Sequence, residues 1–196
     1  MYNPLEDGIK LIVGLGNPGP QYENTRHNVG FWLVKNLSET YHGVFKLESK
    51  FKSFLSSVNI ANHKCELLLP QTFMNLSGEA VGKIARFYKI ASLSILVVHD
   101  ELDFLPGVVR IKKGGGANGH NGIQNIIDQL GDNNFWRLRI GIGKPKLKDD
   151  VSDYVLCSPK KSEAKHIHDA IDRALVIIPE LISGNFEKAM SELHPL

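Results

Sequence analysis

The feature that most constrains this chain is the alternation of short, nearly continuous apolar runs with segments of helical repeat. Ile9–Leu15 and Ser94–His99 carry apolar side chains at almost every position, the pattern of strands buried on both faces. Helical spacings follow each of them. In Asn28–Tyr41, Phe31, Val34, Leu37 and Tyr41 share a face, and Gly43 offers a C-cap. In Ser77–Tyr88 the stripe is Ala80, Val81, Ile84, Phe87 and Tyr88. Phe51–Ala61 and Lys64–Leu69 read as a hairpin turning at Asn62-His63. Val108–Ile111, Trp136–Ile142 and Val151–Leu156 read as further strands. Asn121–Leu130 reads as a helix stopped by Gly131, Lys160–Ile182 as a long helix containing Pro179, and Asn185–Leu193 as a short final helix. This order predicts an α/β fold with one domain over 1–196, a twisted, mixed but mostly parallel sheet flanked by helices, and a flexible extension at 1–8.

The 196 residues, 42% of them hydrophobic, suffice for one full core. No run approaches the length of a membrane span. The first residues lack the basic-then-apolar order of a secretion signal, so the expected location is the cytoplasm. Cys65 and Cys157 lie far apart among apolar neighbours with no C-x-x-C spacing, which predicts two reduced core thiols and neither a disulfide nor a zinc site. Charge is the unevenly spread property. Val108–Lys148 holds Arg110, Lys112, Lys113, Arg137, Arg139, Lys144, Lys146 and Lys148 against Asp128 and Asp132, a local net of +6 in a chain of net +2. Such a window is either a solvated face or a patch for a phosphate backbone on a near-neutral body.

Gly14-Leu-Gly16-Asn-Pro-Gly19 is a literal G-x-G-x-x-G after the first strand, the pattern of a dinucleotide-binding turn. Its context contradicts that function. Pro18 removes an amide donor, no helical period follows Gly19, and the nearest acid at the required distance, Glu39, falls inside a predicted helix. The glycines are better read as a tight turn that carries Asn17 into a cleft and relieves backbone crowding beside a substrate.

Polar residues gather where turns and strand ends are predicted, which is where ligands of open α/β sheets bind. They are Asn17, His27-Asn28, Asn75, His120-Asn121 and Asp100. Singly, each has an ordinary explanation: Asn17 suits a turn, and Asn75 and Asn121 suit helix caps. Together, the phrases GLGNPG, Y-x-x-TRHNVG, TFMNLSG, HDELD and GGGANGHNG, in this order, resemble bacterial peptidyl-tRNA hydrolase from about Lys10 through DYVL.

The resemblance implies a monomeric α/β hydrolase without metal or cofactor. It would cleave the ester between a peptide and the terminal ribose of tRNA, with peptidyl-tRNA (acceptor stem and 3′ end) as its partner and no membrane association. His27 would be the base, since imidazole titrates near neutrality, and Asp100 would orient and charge-stabilise it. By the resemblance, Asn17, Asn75 and Asn121 contact the peptide and the 3′ end, Asn17 telling a blocked α-amine from a free one. Tyr22 and Phe73 line the same site. Lys112 and Arg139 sit near phosphates of the acceptor stem, which position RNA without reading its sequence. The chain departs from the family pattern at Lys35, Ala117-Asn118 and Gln124.

Two other classes remain to be separated from this one. A metal hydrolase would draw on His27, His99, His120, Asp100 and Asp103, although no H-E-x-x-H spacing is present. A non-catalytic RNA-binding module would keep the scaffold and lose turnover.

Overall fold

A computed structural model describes residues 8–147 and 150–194. The expected flexible extension, Gly8 apart, and Lys148 of the basic window lie outside them. The strands are β1 (Leu11–Gly14), β2 (Lys46–Glu48), β3 (Ser53–Ile60), β4 (His63–Pro70), β5 (Ile95–Glu101), β6 (Val109–Lys113) and β7 (Trp136–Gly141). They form one sheet in the order β2-β3-β4-β1-β5-β7-β6. The four central strands β4, β1, β5 and β7 are parallel, while β2, β3 and β6 are added antiparallel at the flanks, so the expected mixed sheet is observed.

Both faces of the sheet are covered, which is why β1 and β5 read as continuous apolar runs. Leu11 and Val13 pack toward α2 (Ser77–Tyr88) and α3 (Asn121–Leu130). Ile12 turns to the other side, toward α1 (Val29–Thr40), α5 (Lys161–Ile182) and α6 (Phe186–Leu193). Ile12 and Val97 are fully buried; cutting Ile12 to alanine would cost about 2–5 kcal/mol.

Glycine brings α1 this close to the sheet. A Cβ at Gly30 would lie 2.4 Å from the Val98 carbonyl oxygen, and one at Gly14 would lie 2.5 Å from the Gly30 carbonyl oxygen. A Cβ at Gly16 would meet the Phe31 ring at 2.8 Å. This corrects the reading of the glycine turn: Gly14 and Gly16 make room for α1 and its side chains, not for substrate.

Three local expectations also change. α1 ends in a Schellman arrangement whose left-handed residue is His42 (φ 55°), with Gly43 N–H donating to the Ser38 carbonyl, so Gly43 lies one position past that residue. The hairpin turns at Ala61-Asn62, both with positive φ, one residue earlier than read. Val151–Leu156 is not a strand, since Val151–Val155 forms the short helix α4. A six-residue run with valines at its first and fifth positions fits either period, and tertiary contacts decide it.

Cys65 is buried and Cys157 exposed, so only the first is the expected core thiol. Burial pushes the Cys65 thiol up to about 12. Cys157 lies between α4 and α5 on the surface.

Candidate active site

The chain leaves β1 toward β4 on one side and reaches β5 on the other, so the carboxyl ends of β1, β4 and β5 border a topological switch point. Beyond β1, a 3₁₀ turn at Arg26–Asn28 leads into α1 and brings His27 over the end of β5. There Asp100 is buried, 3% exposed. His27 Nδ1 lies 2.8 Å from Asp100 Oδ1, and His120 Nε2 lies 2.9 Å from the same oxygen.

Bonding patterns fix the ring tautomers. The Ile123 N–H donates to His120 Nδ1 at 3.3 Å, so the His120 proton sits on Nε2 and points at Asp100. That bond also makes His120 the N-cap of α3. His99 Nδ1 donates to the Asp100 carbonyl at 2.7 Å. Three imidazoles therefore converge on one residue.

Burial opposes charge on Asp100, but the facing His27 and His120 outweigh it and hold the carboxyl well below its usual range. An ionised carboxylate only accepts, so His27 donates from Nδ1 and keeps its lone pair on Nε2. Burial pulls the His27 imidazolium down; the charge of Asp100 and its hydrogen bond more than offset this and leave the ring above the ordinary imidazole value. His99, fully buried, is driven down to about 3 and stays neutral. The donor atoms of His27, Asp100 and His120 all lie within 4.8 Å of one another, a spacing that would also suit a metal ion. His27 Nδ1 and His120 Nε2 are both engaged in hydrogen bonds to one carboxylate oxygen.

Asn17 is held from both ends. Its N–H donates to Asn28 Oδ1 at 2.8 Å, and its carbonyl accepts from Asn28 Nδ2 at 2.9 Å. Its own Oδ1 accepts from the Met74 N–H at 2.7 Å. The side-chain acceptor is thereby occupied, and what Asn17 offers the cleft is an NH₂ donor. Asn75 and Asn121 are exposed and do not cap helices. Among the described residues their side chains have no hydrogen-bond partner, so both amides keep donor and acceptor for a ligand.

A cleft of about 360 Å³ collects His27, Asp100, Asn17, Phe73, Asn75 and Asn121. Leu102, Val151, Val155 and Leu156 give it an apolar wall. Tyr22 does not line the cleft but meets the Phe73 ring edge-on at 6.3 Å between centroids. Lys112 and Arg139 lie outside it, in a second cavity of about 290 Å³ with His99, Glu101 and Arg137. Arg137 is no part of a surface patch: it is 3% exposed and donates to the carbonyls of Gly115 and Gly116, fixing the glycine loop.

The roles of His120 as a second donor to Asp100 and of Asn28 as the clamp on Asn17 escaped the sequence. GHNG and TRHN placed both in polar turns, but neither phrase says which neighbour such a residue will meet.

A family profile described as Peptidyl-tRNA hydrolase matches residues 11–195. The chain is 50% identical to a peptidyl-tRNA hydrolase of Bordetella parapertussis, over 98% of this chain and 91% of that protein. It is 52% identical to one of Methylococcus capsulatus, over 95% and 99%. It superimposes on the crystal structure of peptidyl-tRNA hydrolase from Acinetobacter baumannii with a TM-score of 0.93 at 46% identity, covering 94% of each chain.

Proposed function

The chain belongs to the peptidyl-tRNA hydrolase family, and from that premise we propose how its own residues carry out the hydrolysis of peptidyl-tRNA. The observation that supports this reading is the 2.8 Å bond between His27 and Asp100 at the floor of the cleft. His27 Nε2 takes a proton from water, and the resulting hydroxide attacks the ester carbonyl. The tetrahedral oxyanion collapses, the carbon–oxygen bond to the ribose breaks, and the imidazolium returns its proton to the departing ribose oxygen. Asp100 stabilises the transient imidazolium and holds its tautomer. The products are a peptide carboxylate and tRNA with a free ribose hydroxyl.

The asparagines bind substrate without adding charge. The Asn17 NH₂ meets a peptide carbonyl; a free α-ammonium presents only donors to that group and is rejected as a mispaired contact. Asn75 and Asn121 hold the peptide and the 3′ end, and Phe73, backed by Tyr22, offers a flat face for a terminal base or acyl group. Acyl side chains lie against the apolar wall. Lys112 and Arg139 take phosphates of the acceptor stem in the second cavity, a contact that tolerates any tRNA sequence.

The reading extends to a monomer working in the cytoplasm without metal or cofactor. Among the described residues no helix is long and apolar enough to cross a membrane. Full turnover in excess chelator supports metal independence, and loss that added zinc restores contradicts it. For the base, the test is His27→Ala with an N-blocked aminoacyl-tRNA. Turnover is expected to fall by about 10³-fold or more with tRNA affinity retained, and a variant near the parent rate refutes the assignment.

A further inference from the structure

Arg26 precedes the base in the same 3₁₀ turn, and no step above uses it. It is 5% exposed. Its guanidinium reaches the carbonyl end of α4, where Nη1 donates to the carbonyls of Tyr154, Cys157 and Ser158 at 3.3, 3.2 and 3.1 Å. Nη2 donates to Glu163 Oε2 at 2.8 Å, and the guanidinium lies over the Tyr154 ring, 4.1 Å from its centroid. The Arg26 backbone N–H adds a bond to the Cys157 carbonyl at 3.1 Å.

A helix as short as α4 cannot satisfy its own last carbonyls. A planar guanidinium with several fixed donors supplies the missing partners, and its charge suits a helix carboxyl end. The other contacts extend the lock. Glu163 also accepts the Lys160 N–H at 2.9 Å, which starts α5. The Tyr154 hydroxyl donates to the Ile142 carbonyl at 2.7 Å, tying α4 to the end of β7. One buried cation thus joins the turn that carries His27, the short helix α4 and the first turn of α5. α4 carries Val151 and Val155, the apolar wall of the cleft that also holds His27.

We infer that Arg26 is a positioning residue that sets the gap between His27 and the α4 wall, and so governs how a bulky acyl group is seated for attack. The inference rests on the hydrolase reading above. Because Arg26 touches the wall and not the substrate, its influence grows with the part of the acyl group that reaches the wall.

Arg26→Lys keeps the charge and loses the fork. The test compares kcat/KM on N-acetyl-leucyl-tRNA and N-acetyl-glycyl-tRNA, with the affinity for deacylated tRNA measured alongside. The leucyl ester is expected to lose about tenfold or more, the glycyl ester no more than about threefold, with tRNA affinity unchanged. Equal losses on both esters mean fewer folded molecules and overturn the inference, as does no loss on either. If the lysine variant does not fold, Tyr154→Phe cuts the tie to Ile142 with Arg26 intact. There a loss that depends on acyl size supports the inference and a uniform one overturns it. A parent enzyme inactive on both esters refutes the hydrolase reading itself. Amide exchange across residues 151–158 that is unchanged in Arg26→Lys overturns the clamp alone.

Discussion

The cleft that holds His27 and the basic cavity share a wall of His99, Glu101, Ala117 and Asn118, yet they are built on opposite plans. On the cleft side, the polar groups nearest the base are tied: Asp100 to two rings, His120 to α3, Asn17 to Asn28 and Met74. On the cavity side, the Nε donors of Arg137 and Arg139 are buried without a partner. Complete pairing fixes geometry, which is what proton transfer needs. Unspent donors beside lysine and arginine are what a phosphate fills. On the proposed reading the contrast separates chemistry from docking, and substitutions on the two sides should fail in different ways.

The largest break is expected from Asp100→Asn. The amide oxygen still accepts from both rings, but the charge that stabilises the imidazolium is lost. kcat should drop about 10³- to 10⁴-fold with tRNA affinity unchanged, measured by single-turnover hydrolysis and direct binding. A drop below tenfold would leave the carboxylate without its role.

Asn17→Asp sharpens the cleft side. An aspartate keeps the Met74 bond and replaces the outward NH₂ with an acceptor. Hydrolysis of N-blocked aminoacyl-tRNA should fall by about 10²-fold, while the relative rate on free aminoacyl-tRNA rises. Unchanged discrimination would show that the donor at Asn17 does not read the α-amine.

The cavity side predicts the smallest and most salt-dependent loss. Arg139→Gln, like Lys112→Ala, should weaken tRNA binding several-fold, lower the magnitude of the salt slope by about one, and leave kcat at saturation intact. A salt-insensitive loss, or a fall in kcat, would move these residues out of a phosphate role.

The α/β order was legible because β1 and β5 are apolar on both faces, a pattern that few other folds allow. α2 and α3 were legible to the residue, since Gly131 and the stripes Ala80–Ile84 mark them. Val151–Leu156 was not, because α4 is tied down by Arg26 and by the Ile142 carbonyl, partners outside the helix. At the site, the residue types named by the motifs do meet, with Tyr22 one layer back and Lys112 and Arg139 next door. The direction of the Asn17 amide and the sharing of Asp100 by two rings were illegible. Both depend on which backbone N–H arrives, from Met74 and Ile123, and local sequence does not encode that.

The central claim is that a neutral His27, its proton affinity raised by Asp100, is the base. Its most direct test is the acid limb of kcat measured beside the NMR titration of the His27 ring, in the parent and in Asp100→Asn. Since only the unprotonated ring can accept a proton, activity should rise with pH through the His27 titration, above the ordinary value of about 6.5. In the variant, burial acts without the opposing charge, so ring and residual limb should both move to lower pH. A limb that lies apart from the ring titration, or that Asp100→Asn leaves in place, would contradict the account.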